Sequence, residues 1–481
     1  MAFTSLTYIV FFTFACFVYF LLSSKLKIYW LLLCSYYFYM SWNVKYAFLM
    51  LFSTIITYLS GILIERAATK RQRRIYVCLS FMLNLGILFL FKYYTFLIDS
   101  LTPILQRICS LSIPSTLHLL LPIGISFYTF QALSYTVDVY RNDVNVERNF
   151  FRYALFVSFF PQLVAGPIER SKTLLGQFSK EHKFQWKHVH EGLFLIVIGF
   201  FYKLVIADRA AIGVNQVYNH LDDYAAGGGL YLIAATMLFA VQIYFDFRAY
   251  SAIACGSANV MGYQLSRNFN MPYFADSIKD FWRRWHISLS TWFKEYVYVP
   301  LGGNRKGFFR TQLHIMIVFL ASGLWHGAAW NFVIWGGLHG LYQVVENVIR
   351  RIRPKQREVS TARRLAKILW TFVLIDFAWI FFRANTLSDS FFIIRNLFCF
   401  GMTGDLSMLG FQTIEALVLL ISLTAVFLLD IASLNWNLKR IFYGQHLIIR
   451  WFIYYFILFF IIIFGMYGPG FDAQEFIYFQ F

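Results

Sequence analysis

Residues 311–347 read TQLHIMIVFLASGLWHGAAWNFVIWGGLHGLYQVVEN. The stretch is apolar almost throughout and is broken by Gly323, Gly327, Gly336, Gly337 and Gly340. Cations close both ends: Arg305, Lys306 and Arg310 precede it, and Arg350, Arg351, Arg353 and Lys355 follow. Basic residues beside a membrane segment stay on the cytoplasmic side. A segment flanked by them at both ends enters and leaves by one face, which puts its middle, with His326, deep in the bilayer.

The rest of the chain has the same character. Of 481 residues, 59% are hydrophobic and 14% charged, where a water-soluble chain carries about a quarter charged. The mean hydropathy is +0.58. Runs such as Ile75–Phe91 and Leu230–Phe247 approach the length of a bilayer span. Backbone polar groups in lipid must be satisfied within the segment, so the predicted class is an all-α polytopic membrane protein. The net charge of +18 sits in loops between apolar runs, where it orients the chain and attracts anionic lipid. No nucleic-acid-binding module accompanies it. The first apolar run, Phe3–Leu22, lacks a basic leader and a small-residue cleavage site, so it is expected to remain as a span.

Basic loops set the expected course. The Lys25/Lys27 pair and the Arg66–Arg74 cluster lie on one side, so Ile28–Ile64 goes in and returns. Ile75–Phe96 runs outward, and His118–Thr136 returns with a kink at Pro122 and Gly124. Tyr153–Val164 is short and flanked by cations, which suggests a re-entrant dip. Gly192–Ile206 goes out and Leu230–Phe247 comes back, leaving Arg248–Arg310 along the cytoplasmic interface. Three passages near Ile368–Phe382, Thr413–Leu429 and Trp451–Phe464 complete about eleven to thirteen transmembrane or re-entrant helices. No tandem repeat or soluble module interrupts them, so residues 1–481 read as one membrane domain.

Ten histidines are present, and His326 stands out by depth, since an ionisable group inside an apolar segment marks a functional site by default. A neutral imidazole there can take a proton from an attacking hydroxyl; the alternative is a histidine that only bonds a neighbouring helix. His286 lies in FWRRWHISLSTWF (residues 281–293), where tryptophans and arginines interleave as interfacial anchors do. The functional alternative makes this region the entrance for a phosphorylated acyl donor, with Arg283, Arg284, Lys294, Arg305 and Lys306 as phosphate partners. Trp325, Asn331 and His339 are candidates to line the substrate path, though core packing accounts for His339 as well. Cys255 is the one cysteine in a polar context, and a packed thiol explains it more simply than an acyl-carrying nucleophile. Glu169, Asp246 and Asp376 flank or enter apolar runs and need partners, with arginines expected. The spacings of a nucleophile elbow, a phosphate-binding loop and a histidine–cysteine metal site are all missing.

FWRRWHISLSTWFKEYVYVPLGGNR (residues 281–305) resembles a signature of the bacterial membrane-bound O-acyltransferases. It is most similar to their alginate O-acetylase-like branch, which includes peptidoglycan O-acetyltransferases and the D-alanyl transferase of teichoic acids. LWHGAAWNFVIWGGLHG (324–340), FPQLVAGPIER (160–170), YFDFRAYS (244–251), NFNMPYF (268–274) and FIYFQF (476–481) match the same branch. Arg248-Ala249 departs from it, standing where the branch usually has small residues. The resemblance implies a ring of helices around a thin centre, with a cytoplasmic opening for an acyl donor and an outer opening for the acceptor. It implies that His326 is catalytic and that His286 is the second important histidine.

The combined expectation is an O-acetyltransferase of the bacterial inner membrane. It passes acetyl from a cytoplasmic thioester, acetyl-CoA, to a hydroxyl of an exported or cell-wall polysaccharide, directly or through an extracytoplasmic acceptor protein. Membrane lipids surround it, and no cofactor or metal is called for beyond the thioester co-substrate. The rival expectation is a transporter or flippase of a lipid-linked substrate, which shares broken helices and midplane polar groups.

Overall fold

Apolar sequence in lipid has only one way to satisfy its own amides locally, and the computed structural model is helical accordingly. It describes residues 1–109, 120–352, 360–402, 404–468 and 476–477. The helices are α1 (Leu6–Leu21), α2 (Ser24–Met40), α3 (Val44–Arg66), α4 (Lys70–Leu88), α5 (Tyr94–Cys109), α6 (Ile125–Arg141) and α7 (Phe150–Ser158). They continue through α8 (Ser171–Phe178), α9 (Trp186–Phe200), α10 (Asp208–Tyr218), α11 (Gly229–Val260), α12 (Ile278–Arg284) and α13 (Ile287–Phe293). The last are α14 (Phe308–His326), α15 (Trp330–Ile352), α16 (Thr361–Arg383), α17 (Leu387–Asn396), α18 (Thr413–Asn435), α19 (Leu438–Tyr443) and α20 (Leu447–Phe464). Wider π-helical turns, Phe89–Tyr93 and Phe201–Ala207, join α4 to α5 and α9 to α10 without a break.

Among the described residues eight helical runs are long and apolar enough to cross a membrane, against the eleven to thirteen full and partial segments expected. The partial ones survive as the shorter helices α2 and α7, and the expected full passages Phe3–Leu22 and His118–Thr136 fold as α1 and α6, each shorter than those eight runs. The outermost helix, α20, leaves Ile448 at 72% and Phe452 at 70% exposure, the apolar surface that lipid covers.

Three boundaries differ from expectation for local reasons. The α11 helix runs past Arg248 to Val260, because the guanidinium is paired: it donates to both Asp430 oxygens at 3.2 Å and lies over the Tyr202 ring. A partnered arginine need not leave the helix, and the departure at Arg248-Ala249 has its reason in Asp430. Pro122 does not kink a helix but precedes one, since α6 starts at Ile125 after Gly124 in a left-handed turn (φ +76). His118 lies outside the described residues. The outward run extends beyond Phe96 to Cys109, carried through Lys92 by the first π-turn.

Candidate active site

The decisive stretch folds as a helical hairpin, α14 down to His326 and α15 back from Trp330. Its glycines set how closely the two helices approach. A Cβ at Gly323 would lie 2.2 Å from the Phe332 carbonyl oxygen, and one at Gly336 would lie 2.3 Å from that of Phe319. His326 is the last residue of α14, with its ring centroid 5.0 Å from Trp335 and 5.4 Å from Phe382. Across the hairpin, His339 on α15 packs 4.8 Å from Trp335 and accepts a hydrogen bond from Trp282 Nε1 at 3.3 Å.

His286 belongs to a different part of the chain and reaches the same place. It lies between α12 and α13 with a left-handed backbone (φ 41, ψ 54), a conformation that costs a non-glycine residue about 1–2 kcal/mol. Strain of that kind is retained where the surroundings over-determine it, commonly at functional sites. The surroundings here are the quoted motifs themselves. Asn268 donates to Ser251 at 3.1 Å, Ser288 donates to Asn268 at 2.7 Å, and the Ile168 N–H donates to the Ser288 hydroxyl at 3.1 Å. The Ile287 N–H donates to the Asn268 carbonyl at 2.9 Å, which fixes the turn beneath His286. Full burial pushes the His286 imidazole down to about 3, so the ring is neutral. Trp325 spans the two histidines, 6.1 Å from the His286 ring and 4.9 Å from that of His326.

YFDFRAYS and the C-terminal motif meet at a buried ion cluster. Lys203, from the second π-turn, binds Asp208 at 2.8 Å and Asp246 at 2.6 Å, and Asp246 also accepts from the Ile477 N–H at 2.6 Å. Asp246 therefore has a lysine rather than an arginine as partner. Glu169 accepts from the Ser266 amide and hydroxyl, not from an arginine, and burial pushes its carboxyl up to about 7. Tyr478–Phe481 lie outside the described residues.

Two cavities approach the histidines from opposite ends of α14. The larger, about 1010 Å³, is lined by Lys279, Arg283, Lys294, Arg305, Arg350 and Arg351 and, among the described residues, by no carboxylate; its inner wall includes Trp282, Ile287, Phe319 and Ser322. That volume suits a large ligand. The smaller, about 60 Å³, is lined by Lys92, the turn Leu121–Phe127, Val164, Trp325 and His326. Ser322 of the first and His326 of the second are one helical turn apart, about 6 Å along the axis.

Of the anticipated phosphate partners, Arg283, Lys294 and Arg305 line the large cavity. Lys306 does not, and Arg284 donates to Asp280 at 2.7 Å and lies off it as well. Trp325 lines the small cavity. Asn331 donates to the Ala384 carbonyl at 2.9 Å, and neither it nor His339 lines either cavity. Cys255 also lies off both, with Sγ directed to the Ser266 carbonyl. Sequence reasoning overlooked Lys279, Arg350 and Arg351 as cavity cations and overlooked Lys92 altogether. A lysine inside the Ile75–Phe96 run was a signal of the same kind that singled out His326.

The sequence profile of the membrane-bound O-acyltransferase family matches residues 141–388. "Probable alginate O-acetylase AlgI" of Azotobacter vinelandii is 37% identical over 79% of this chain and 75% of its own length. "Peptidoglycan O-acetyltransferase" of Helicobacter pylori is 35% identical over 73% of this chain and 69% of its own. "Teichoic acid D-alanyltransferase" of Bacillus subtilis is 27% identical over 54% and 68%. With both histidines, the π-turn lysine of the ion cluster and all six of the large cavity's cations inside the matched region, the chain belongs to the membrane-bound O-acyltransferase family and is an O-acyltransferase, a multi-pass protein of the bacterial inner membrane.

Proposed function

We propose that residues 1–481 form one membrane domain that moves acetyl from cytoplasmic acetyl-CoA to a hydroxyl on the outer side, for O-acetylation of an exported or cell-wall polysaccharide. The observation that carries this reading is the approach of two unlike cavities to His326 within one turn of α14. The basic loops around the large cavity support a cytoplasmic orientation, and its cations suit the phosphates of a CoA thioester. His326, on the small cavity, is the base. It takes the proton as the acceptor oxygen bonds to the thioester carbonyl carbon, the carbon–sulfur bond breaks, and the imidazolium returns the proton to the CoA thiolate. His286, neutral and fixed by its turn, orients the acyl carbonyl. The dry aromatic surroundings keep water from the thioester.

The acceptor class follows the names of the relatives, alginate in one case and peptidoglycan in another. Delivery runs directly to the glycan or through a hydroxyl of a separate extracytoplasmic protein. The test is acetyl transfer from radiolabelled acetyl-CoA in proteoliposomes supplied with alginate or peptidoglycan oligosaccharides, comparing wild type with His326→Ala. Product labelling and CoA release should fall at least about 10²-fold in the variant. Turnover unchanged by the substitution, in a folded protein, makes His326 structural and sinks the mechanism.

A further inference from the structure

We infer that Lys92 is the positioning residue of His326: its ammonium clamps the end of α14 and so holds the imidazole where the two cavities meet. Lys92 Nζ donates to the carbonyl of Trp325 at 2.7 Å and to that of His326 itself at 3.1 Å. The neighbouring Tyr93 hydroxyl donates to the Leu324 carbonyl at 2.8 Å. These are three of the four carbonyls that a helix end leaves without partners, and a cation is the charge that a helix C-terminus favours. Both donors come from the π-turn Phe89–Tyr93, and turns of that kind recur at functional sites.

The placement asks for more than a helix cap. Lysine within an apolar span is expensive, and an amide, with two N–H donors, would satisfy two carbonyls at lower cost. Among the described residues no carboxylate forms an ion pair with Lys92, so the charge is spent on the helix end alone. Lys92 also lines the small cavity beside His326 and contributes nothing to the lining of the large one. Its effect should therefore fall on the chemical step and leave donor binding alone.

The inference rests on His326 being the base, and the assay separates the two claims. Acetyl transfer from radiolabelled acetyl-CoA would be measured for Lys92→Met, Lys92→Arg, His326→Ala and the Lys92→Met/His326→Ala pair, each checked for folding in detergent. Lys92→Met should lower kcat about 10²-fold, as a misplaced catalytic group does, with the acetyl-CoA KM within twofold. Lys92→Arg, which keeps both charge and donors, should recover most of the loss. The double variant should be no slower than His326→Ala, because both changes remove one device. Wild-type kcat in Lys92→Met, a loss carried by KM, or losses that multiply in the double variant would each overturn the inference while leaving His326 in place. Full activity in His326→Ala overturns the base assignment and the inference with it. Where Lys92→Met does not fold, Lys92→Gln keeps the donors without the charge, and an unchanged kcat there is equally fatal.

Discussion

Gly336 and Gly337 are adjacent on α15, yet alanine should do opposite things at the two positions. At Gly336 the added Cβ lies 2.3 Å from the Phe319 carbonyl oxygen and 3.1 Å from the Gly323 Cα. Both atoms are backbone, so no side chain can rotate aside. The closest tolerable approach is about 3.0 Å, and the two helices have to part by at least about 0.7 Å to restore it. Overpacking of this kind costs about 1–3 kcal/mol, and helix propensity returns up to about 1 kcal/mol. At Gly337 the nearest atom is Leu320 Cδ2 at 3.7 Å, an ordinary contact, so only the propensity gain remains.

The functional consequence follows from position. Gly323 lies three residues before His326, in the last turn of α14, so separation at Gly336 displaces the imidazole directly. Misplacement by about 1 Å can cost about 10²-fold in rate. Gly336→Ala should lower kcat for acetyl transfer about 10- to 100-fold, with a lower unfolding midpoint in detergent. Gly337→Ala should match or exceed wild type in both. Equal behaviour of the two variants, in either direction, would mean that the hairpin's glycine contacts do not set the position of His326.

Neutralising the large cavity's cations should separate lining from bystander residues. Arg283→Gln, Lys294→Gln and Arg305→Gln should each raise the acetyl-CoA KM about tenfold or more, the worth of a charge-assisted hydrogen bond, while Arg284→Gln moves it less than twofold; steady-state kinetics at two salt concentrations decides. Lys203→Met leaves Asp208 and Asp246 buried without their cation, which costs about 3–5 kcal/mol and should show as a collapse of the detergent unfolding midpoint. Glu169 predicts a pH dependence. Its carboxyl is raised from 4.5 to about 7 in the folded protein, chiefly by burial, so the folded state holds the extra proton between those values. Its contribution to stability is complete below about pH 4.5, declines as pH rises to about 7, and is flat above. Denaturation between pH 4.5 and 8 should show this decline in wild type and lose it in Glu169→Gln.

What the sequence made legible follows from where the information is local. The hairpin of residues 311–347 could be read because its two determinants, flanking cations and interior glycines, sit within the segment. The end of α11 could not, because Arg248 stays helical only through Asp430, 182 residues away. The same holds for the start of α6 at Ile125, set by a left-handed Gly124 packed on the Leu163 and Val164 backbone. Within the site, His326 was marked by depth and the Arg283–Arg305 cations by clustering. Lys92 was missed although it is as deep as the histidine, because its partners are backbone carbonyls of another helix and carry no side-chain signature. Arg284 was indistinguishable from Arg283 in sequence, and only Asp280, one turn back on the same short helix, takes it out of the cavity.

The transporter alternative and the acyltransferase reading make different demands on the wall between the cavities. A transporter has to open a path as wide as its cargo through the place where Trp325, His286, Phe127 and Phe247 now pack, with ring centroids 4.7–6.3 Å apart. That would break a close-packed cluster pinned by the hydrogen bonds of Asn268 and Ser288. The acyl transfer proposed above asks for no such opening, since in it only an acetyl group has to pass from sulfur to oxygen and the donor and acceptor never change sides. On the proposed mechanism the rigidity that would defeat a transporter serves the enzyme: it separates a large charged donor from a glycan hydroxyl while letting their reacting atoms meet. The strained backbone of His286, the glycine contacts under His326 and the Lys92 clamp then have a common purpose, which is to hold that wall still. The His286 turn and the Lys92 clamp should each be more costly to activity than to folding when altered conservatively, and variants of these two in which melting and turnover always fall together would count against it.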